Sequence, residues 1–309
     1  MSRLLIKASN PMCLLQDAGR FGVRHLGVTQ GGAADWLSMT WANWLLGNAP
    51  GAAVIEITLG GLSLIAQSNC TLALAGADLA ASVDGKALKP WRRIELKKGQ
   101  TLSFTQPLLG ARAYLAAPGG FVAPQVLGSS ATVVREQLGG PDGFGRALAI
   151  GDELNYTAEP SALRDIPHAQ KPGFTANPVL DVVLGAQIGA FSGQSTFDAF
   201  NQPWTLDSRA DRMGIRLQGP ALEYQGAPMI SEGIPLGAIQ VPPDGQPIVL
   251  LNDRQTIGGY PRLGALTPLA LARLAQCVPG ETVYLRPVTQ DAAQRQHQVF
   301  MQRFNQPSP

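Results

Sequence analysis

The sequence predicts a mainly β protein built from two barrel-like halves with a few short helices. Stretches with the apolar alternation of half-buried strands recur along the chain, and turn residues separate them. Glycine (35) and proline (24) make up roughly a fifth of the 309 residues, as a turn-rich protein requires. Prolines interrupt any periodicity around residues 161–178. We therefore predict an N-terminal half at 1–160, a linker at 161–178 and a C-terminal half at 179–309.

Several strands can be placed from the turns that bound them. Residues 54–59 and 62–65 flank Gly60-Gly61, a pattern typical of a hairpin of two half-buried strands. Residues 112–117 form a further candidate strand. Three more glycine turns each precede a short strand, at Gly99, Gly151 and Gly280. A barrel with repeated turns needs such units, although glycine beside a polar residue makes a good turn in any fold.

Helices are few. Residues 35–46 have apolar side chains at helical spacing, an acidic start and Gly47 as a stop signal. Its tryptophans are expected to lie mostly in the core: Trp36, Trp41 and Trp44. Thr267 can cap a second helix with Pro268 in its first turn. The polar tail at 290–302 is predicted as a surface helix or a frayed end.

Charge and cysteine content exclude several classes of protein. The net charge is +2, without a basic stripe, so we expect no nucleic-acid partner. The most apolar stretch, residues 71–81, is too short to span a bilayer, and the N-terminus carries no signal-peptide pattern, so we expect no membrane association. The three cysteines are far apart, which is typical of thiols in a reducing compartment. We predict a cytoplasmic protein.

The common catalytic motifs are missing from the sequence. The chain has three histidines and no HExxH or CxxC pattern, so no metal site is predicted. It has no GxSxG elbow and no GxxxxGK[ST] loop, and the glycines at 139–145 follow no Rossmann strand. These absences exclude a zinc hydrolase, a serine hydrolase with that elbow, a P-loop kinase and a Rossmann dehydrogenase.

Four segments concentrate glycine with charged and amide residues, although only 15% of the chain is charged. Glycine lets backbone N–H groups approach a ligand, arginine offers a fork for an anion, and aspartate can accept a proton. Structural turns with paired Asp and Arg have the same composition, so that interpretation stays open for each segment. The candidate site residues are Asp17, Arg20, Asp35, Asn43, Arg212, Gln240, Asp253, Arg254, Gln255, Gly258, Gly259 and Tyr260.

The last of these segments gives the strongest indication of a site. An apolar strand at 247–251 ends in a polar run and then in a Gly-Gly-Tyr-Pro turn at 258–261. Side chains that leave the end of a buried strand are well placed to line a pocket. We therefore expect the carboxylate of Asp253 to project into a pocket, or else to pair with Arg212 or Arg254 and hold the turn.

The order of these motifs resembles that of one family, the biotin-dependent carboxyltransferase or allophanate hydrolase subunit 2 family. The matching strings are Gln-Asp-Ala-Gly-Arg at 16–20, Ala-Asn-Trp-Leu-Leu-Gly-Asn at 42–48, Glu-Ile-Thr at 56–58, Tyr-Leu-Ala at 114–116 with Gly119-Gly120, Asp-Arg-Met-Gly at 211–214 and Asp-Arg-Gln-Thr-Ile-Gly-Gly-Tyr-Pro at 253–261. The resemblance covers about residues 4–287. One departure is Ala131, which stands where the family usually has a serine hydroxyl.

The resemblance implies two cyclophilin-like β-barrel halves and a role in an enzyme complex. The family includes the C subunit of 5-oxoprolinase, an antagonist of a sporulation kinase inhibitor and a region of urea carboxylase. The first of these implies ATP-dependent opening of 5-oxoproline to glutamate, with ATP (with or without Mg) as the co-substrate. It also implies two further polypeptides of 5-oxoprolinase: a B subunit, which would bind this chain directly, and a separate A subunit. The chain lacks a Met-Lys-Met biotin-acceptor site, so no covalent biotin is expected on it.

The matched residues suggest roles in such a reaction. Phosphorylation of the lactam oxygen would create a better leaving group, and Arg212 and Arg254 would balance the phosphate charge. Backbone N–H groups of Gly258 and Gly259 would approach the same phosphate. Asp253 would orient or deprotonate the lactam or an attacking water, and Asn43 would hydrogen-bond the substrate amide. Asp17, Arg20, Asp35, Gln240, Gln255 and Tyr260 complete the expected binding set.

Two alternatives stay open at the level of sequence. A carboxyltransferase component acting on urea or a related amide would use the same residues to bind biotin and its substrate. A non-catalytic antagonist of a kinase inhibitor would use them to bind a protein related to the B subunit. If the chain is a subunit of 5-oxoprolinase, we expect it to be inactive alone, since no complete nucleotide site is visible in its sequence.

Overall fold

The computed structural model describes residues 2–157, 159–166 and 171–305, without the side chains of residues 303 and 305. The chain divides into two compact units: unit 1 comprises residues 1–23 and 30–174, and unit 2 comprises 24–29 and 175–309. The boundary at 174/175 lies inside the segment 161–178 that was predicted as a linker, of which residues 167–170 lie outside the described part of the chain. The sequence did not indicate that residues 24–29 belong to unit 2.

Unit 1 consists of two antiparallel sheets that share one apolar core, with helix α1 beside them. Its strands are β1 (Ser2–Ala8), β2 (Cys13–Gln16), β3 (Val54–Thr58), β4 (Leu62–Ala66), β5 (Cys70–Asp78), β6 (Ser82–Val83), β7 (Lys86–Ala87), β8 (Arg92–Leu96), β9 (Thr101–Phe104), β10 (Leu109–Ala116) and β11 (Glu153–Tyr156), and α1 spans Trp36–Leu45. The strand orders are β11-β1-β4-β9-β6-β7 and β2-β3-β10-β5-β8. Buried side chains of both sheets, such as Leu4 and Ile55, belong to the same core cluster.

Unit 2 is a closed barrel with a separate two-stranded ribbon. Its elements are β12 (Val179–Leu184), α2 (Gly193–Asn201), β13 (Trp204–Leu206), β14 (Gly214–Gln218), β15 (Glu232–Gly233), β16 (Ala238–Gln240), β17 (Ile248–Leu250), β18 (Ile257–Gly258), β19 (Arg262–Leu266), α3 (Pro268–Leu274), β20 (Thr282–Val288) and α4 (Gln290–Asn305). The barrel order is β12-β19-β16-β17-β14-β13-β20, and β15 pairs with β18 as the ribbon. This confirms the mainly β fold class with few, short helices. In the described part of the chain, no helix is both long and apolar enough to cross a membrane.

The predicted hairpin of 54–59 and 62–65 is wrong. β3 pairs with β2 and β10, whereas β4 pairs with β1 and β9 in the other sheet. Leu59, Gly60 and Gly61 all have positive φ (60°, 92° and 81°), a conformation that turns the chain from one sheet into the other. Both segments are therefore strands, as predicted, but they do not pair with each other.

The three glycine turns and the two capped helices are confirmed. Gly99, Gly151 and Gly280 have positive φ, and β9, β11 and β20 begin two residues after them. The side chain of Asp35 accepts from Ser38 N at the start of α1, and Thr267 accepts from Ala270 N at the start of α3. Helix α2 was not predicted, although Ser192 caps it by accepting from Ser195 N.

The tryptophans of α1 are buried to different degrees. Trp41 is 1% exposed and meets Trp44 edge to face at 5.3 Å between ring centroids. Trp36 and Trp44 are half-buried, so only Trp41 is fully in the core as expected.

Residues at the start of the predicted linker are held by unit 1. Ser161 Oγ donates to Gly47 O at 2.6 Å, and Ala162 N donates to Leu46 O at 3.3 Å. These bonds satisfy carbonyls that the end of α1 leaves without helical partners.

Candidate functional site

The polar run after β17 lies at one end of the unit 2 barrel. Leu251 N donates to Met213 O, and Asp253 N donates to Arg212 O, both at 2.9 Å, so the run is aligned with the loop before β14. Asp211 Oδ1 accepts from Met213 N and Gly214 N and closes that loop into a tight turn. The Asp-Arg-Met-Gly string is therefore the turn that presents Arg212 to Asp253.

Arg212 and Asp253 form a two-pronged ion pair. Arg212 Nε donates to Asp253 Oδ2 at 2.9 Å, and Nη2 donates to Oδ1 at 3.0 Å. The two side chains are 16% and 9% exposed, so the pair is largely shielded from water. Such a fork fixes the plane of the carboxylate. Of the two expectations for Asp253, pairing with Arg212 is the one that the structure contains.

Arg254 does not point into an open site. It is 2% exposed, and its Nε and Nη1 donate to Ile234 O and Leu251 O. Arg24 Nη2 donates to the same Ile234 O at 2.8 Å and to Thr256 O at 3.0 Å. Burial first, and the neighbouring Arg24 second, lower the pKa of the Arg254 guanidinium to about 9. Arg254 thus ties together the backbone around the ribbon, and its expected role in balancing phosphate charge stays a prediction.

Gln240 lies beneath the ribbon formed by β15 and β18. It is 2% exposed, and its Nε2 is buried without a hydrogen-bond partner among the residues that the structure describes. A Cβ added to Gly258 would lie 3.0 Å from that nitrogen and 2.7 Å from Ile234 Cδ1. A larger residue at position 258 would therefore require the side chains of Gln240 and Ile234 to move. Gln255, two residues before β18, is exposed.

The Gly259-Tyr260-Pro261 turn borders a cavity of about 470 Å³ in unit 2. Tyr260 is 46% exposed at this cavity. The sequence did not indicate its other walls, which come from the segments 222–229 and 241–243. Their proline and glycine content was visible, but their proximity to residue 260 depends on the barrel closure.

The predicted residues of unit 1 are anchors within that unit. Asp17 Oδ1 accepts from Gly19 N and Ser129 Oγ, and Asp17 Oδ2 accepts from Ser130 N. Arg20 is buried, and its Nε and Nη2 donate to carbonyls of the loop 126–131. These two residues hold the Gly-Ser-Ser-Ala-Thr segment against the segment 16–20. Their expected ligand contacts stay predictions.

Asn43 and Asp35 are equally committed to the structure of unit 1. Asn43 is fully buried; its Nδ2 donates to Pro50 O and Ala52 O, and its Oδ1 accepts from Asn48 Nδ2. Asp35 is 1% exposed and caps α1. Asn43 thus supports the loop after α1, and its expected hydrogen bond to a substrate amide stays a prediction.

Glu56 and Tyr114 belong to a buried hydrogen-bond network that the sequence did not indicate. Glu56 Oε2 accepts from Tyr114 Oη and from Ala34 N, each at 2.8 Å, and Tyr114 Oη accepts from Asp35 N. Burial first, and then the charges of Glu56 and Asp35, hold the pKa of Tyr114 well above its usual value. The Glu-Ile-Thr and Tyr-Leu-Ala strings meet here as a structural link between β3, β10 and α1.

Among the described residues, no group of three or more His, Cys, Asp or Glu side chains is arranged to hold a metal ion. Of the twelve predicted site residues, Asp17, Arg20, Asp35 and Asn43 lie in unit 1 and the others lie in unit 2. Within unit 2, the structure brings together Arg212 with Asp253, and Gln240 with Gly258. It places Tyr260 at the cavity.

Comparison with known proteins supports the resemblance seen in the motifs. Residues 26–287 match the family model of the carboxyltransferase domain, subdomains A and B. The chain belongs to this family. It is 38% identical to the C subunit of 5-oxoprolinase from Haemophilus influenzae, over 93% of each chain. It is 35% identical to the C subunit of 5-oxoprolinase from Escherichia coli, over 94% of this chain and 93% of that protein.

A solved structure has a similar fold. The urea amidolyase of K. lactis superposes with a TM-score of 0.92 at 25% identity. The match covers 99% of this chain and 20% of the urea amidolyase. The chain therefore corresponds to about a fifth of that much longer protein.

Proposed function

We propose that this protein is the C subunit of a 5-oxoprolinase that opens 5-oxoproline to L-glutamate with hydrolysis of ATP. The supporting observation is the 38% and 35% identity, over nearly the whole chain, to the C subunits of 5-oxoprolinase from two bacteria. The name of those relatives implies partner polypeptides. We propose that the chain forms a direct complex with a B subunit, that the complex cooperates with an A subunit, and that it works in the cytoplasm.

The Arg212–Asp253 pair is the part of the predicted site whose geometry suits chemistry. Asp253 is held by the guanidinium fork at the mouth of the barrel and retains 9% exposure, unlike the fully buried Asn43. In the proposed reaction Asp253 orients or deprotonates the lactam or a water, and Arg212 holds the Asp253 carboxylate in position. Bound ATP would supply a phosphoryl group that makes the lactam oxygen a better leaving group.

Both arginines of the predicted site in unit 2 already bind other groups of that unit. Arg254 is engaged with backbone carbonyls, and Arg212 with Asp253. We therefore propose that residues supplied by a partner polypeptide complete the phosphate site. This places the phosphoryl transfer at a composite site and accounts for the expected inactivity of the chain alone.

A carboxyltransferase component is the second candidate function. The observation in its favour is the TM-score of 0.92 with a urea amidolyase over 99% of this chain. In this role the same pair would position urea or a related amide beside biotin carried by another chain. The lower identity of 25% makes it second to the 5-oxoprolinase proposal.

The two functions are separated by one reconstitution. The chain is co-expressed with its B and A partners, and the purified complex is assayed for glutamate release and ADP formation with 5-oxoproline. The same preparation is assayed for carboxylation of urea with bicarbonate, ATP, a biotin carboxylase and a biotinylated carboxyl-carrier protein. Glutamate release that depends on ATP and on all three polypeptides is the expected result. Carboxylation without glutamate release would overturn the proposal in favour of the second candidate.

A further inference from the structure

The cavity beside Tyr260 has the size and lining of a small-molecule site. Its volume of about 470 Å³ lies within the range of about 300–1,000 Å³ typical of ligand pockets. Two aromatic rings, a thioether and rigid prolines form most of its walls: Tyr224, Met229, Pro242, Pro243, Tyr260 and Pro261. Neither Arg212 nor Asp253 lines this cavity.

The walls of the cavity are fixed by internal contacts. Val241 N donates to Pro261 O at 2.9 Å, which holds two of the walls together. The third wall is fixed by Tyr224, whose ring meets buried Phe191 at 5.3 Å and an interplanar angle of 63°. A Cβ at Gly226 would lie 2.3 Å from Tyr224 Oη, so glycine is required for the loop to close over this ring. The cavity is therefore preformed rather than created by a ligand.

The charge of the lining decides which ligands suit the cavity. Among its lining residues, Glu223 is the only charged one, and it lies at an exposed position. A carboxylate or a phosphate would enter without a cation to meet it, at a considerable desolvation cost. The lining therefore disfavours 5-oxoproline, which carries a carboxylate, and the phosphates of a nucleotide. It favours an uncharged flat ring that stacks on tyrosine and donates from an amino edge to Glu223.

We propose that this cavity holds the adenine ring of ATP, with the ribose and the phosphates outside it. The assignment rests on the proposed function, in which ATP is the reactant that carries such a ring. It divides the nucleotide between two places: the ring binds in unit 2 of this chain, and the phosphates lie where cations are available. Tyr260 is the stacking residue, because it combines partial exposure with a place on the cavity wall.

Adenosine is the appropriate probe, since it carries the ring without the phosphates. Its binding to the full-length chain and to the reconstituted complex is measured by calorimetry and by saturation-transfer NMR. We expect saturable binding that Tyr260→Ala weakens at least about tenfold and that Tyr260→Phe retains within about threefold, because stacking needs the ring rather than the hydroxyl. The matched control is Tyr284→Ala on β20, a 38% exposed tyrosine outside the cavity, which should leave binding unchanged.

Several outcomes would overturn the assignment. They are the absence of saturable adenosine binding, an unchanged affinity in a folded Tyr260→Ala variant, and stronger Tyr260-dependent binding of biotin methyl ester than of adenosine. The last result would indicate the ureido ring of biotin as the occupant. In the reconstituted complex, Tyr260→Ala should raise the KM for ATP at least about tenfold.

The assignment and the proposed function can fail separately. Normal 5-oxoproline-dependent ATP hydrolysis with an unchanged KM for ATP in Tyr260→Ala would reject the cavity and leave the 5-oxoprolinase proposal standing. Tyr260-dependent adenosine binding, together with a complete complex that releases no glutamate, would reject the 5-oxoprolinase proposal and leave the nucleobase site standing.

Discussion

At Asp253, the charge proposed to act on a substrate is the same charge that binds Arg212 and aligns two loops. Asp253→Asn removes the negative charge and keeps most of the shape. In the reconstituted complex we expect kcat to fall at least about a hundredfold, since general-base groups contribute about 10²–10⁴ in rate. We also expect a loss of about 1–3 kcal/mol in the free energy of unfolding, because Arg212 keeps its charge but loses the carboxylate that balances it. Turnover and denaturant unfolding are measured on one preparation.

The matched control for Asp253→Asn is Asp244→Asn. Asp244 pairs with Arg216 in the same unit, but its side chain is 52% exposed. Exposed pairs contribute about 0–1 kcal/mol, so this variant should remain stable and active. A stable Asp253→Asn protein with near-normal turnover would contradict the catalytic role, and a destabilised one with near-normal turnover would assign Asp253 to the turn alone.

The three cysteine thiols lie inside the fold. Cys13, Cys70 and Cys277 are buried and form no disulfide. Burial raises the pKa of the Cys13 and Cys70 thiols, and the thiolate is the reactive form. We expect labelling by a disulfide reagent at pH 8 to be on the order of a hundredfold slower in the native chain than in denaturant. Rapid labelling of the native protein would show that these strands open readily.

Among the tryptophans of helix α1, Trp41 is expected to contribute most to stability. Trp41→Ala should lower the free energy of unfolding by about 3–5 kcal/mol, because the ring is 1% exposed and its removal leaves a cavity. Half-buried Trp44→Ala is the control, and it should cost clearly less. The measurement is chemical unfolding followed by far-UV circular dichroism. A loss below about 1 kcal/mol for Trp41→Ala would mean that α1 detaches easily from its sheet.

The barrel of unit 2 is closed tightly at Gly264 on β19. A Cβ there would lie 2.2 Å from Val183 O on β12, so Gly264→Ala must push two paired strands apart. We expect a loss of about 1–3 kcal/mol in the free energy of unfolding. Gly193→Ala is the control, since nothing lies within 4 Å of its Cβ position at the start of α2. That substitution should be neutral or slightly stabilising. Equal melting temperatures for the two variants would contradict the tight contact.

At the scale of the molecule, activity is expected to depend on partners. Within each unit most of the predicted polar residues are bound to one another or to backbone groups, and we therefore expect the purified chain alone to release no glutamate from 5-oxoproline. The test adds the B and A partners one at a time and follows ADP and glutamate. Substantial turnover by the chain alone, in a preparation free of partners by mass spectrometry, would contradict this dependence.

The sequence determined the local structure, because local signals are carried by neighbouring residues. Glycine turns at 99, 151 and 280, the Asp35 and Thr267 caps, and the strand at 112–117 follow from φ preferences, capping chemistry and periodicity that involve a few consecutive residues. The ordered motifs also indicated the family, since the string at 253–261 is highly specific.

Tertiary structure alone decided which strands pair and which polar residues remain available. Nothing local distinguishes a hairpin at 54–65 from two strands in different sheets, because the partners of β3 and β4 lie far away in sequence. The partners of charged side chains also cannot be predicted from neighbouring residues. Arg254 and Asp253 are adjacent in the motif, yet one is bound to buried carbonyls and the other to Arg212, 41 residues away. Burial and hydrogen-bond satisfaction depend on long-range packing, and packing therefore decided which of the predicted polar residues are bound within the fold and which, such as Gln255 and Tyr260, are exposed.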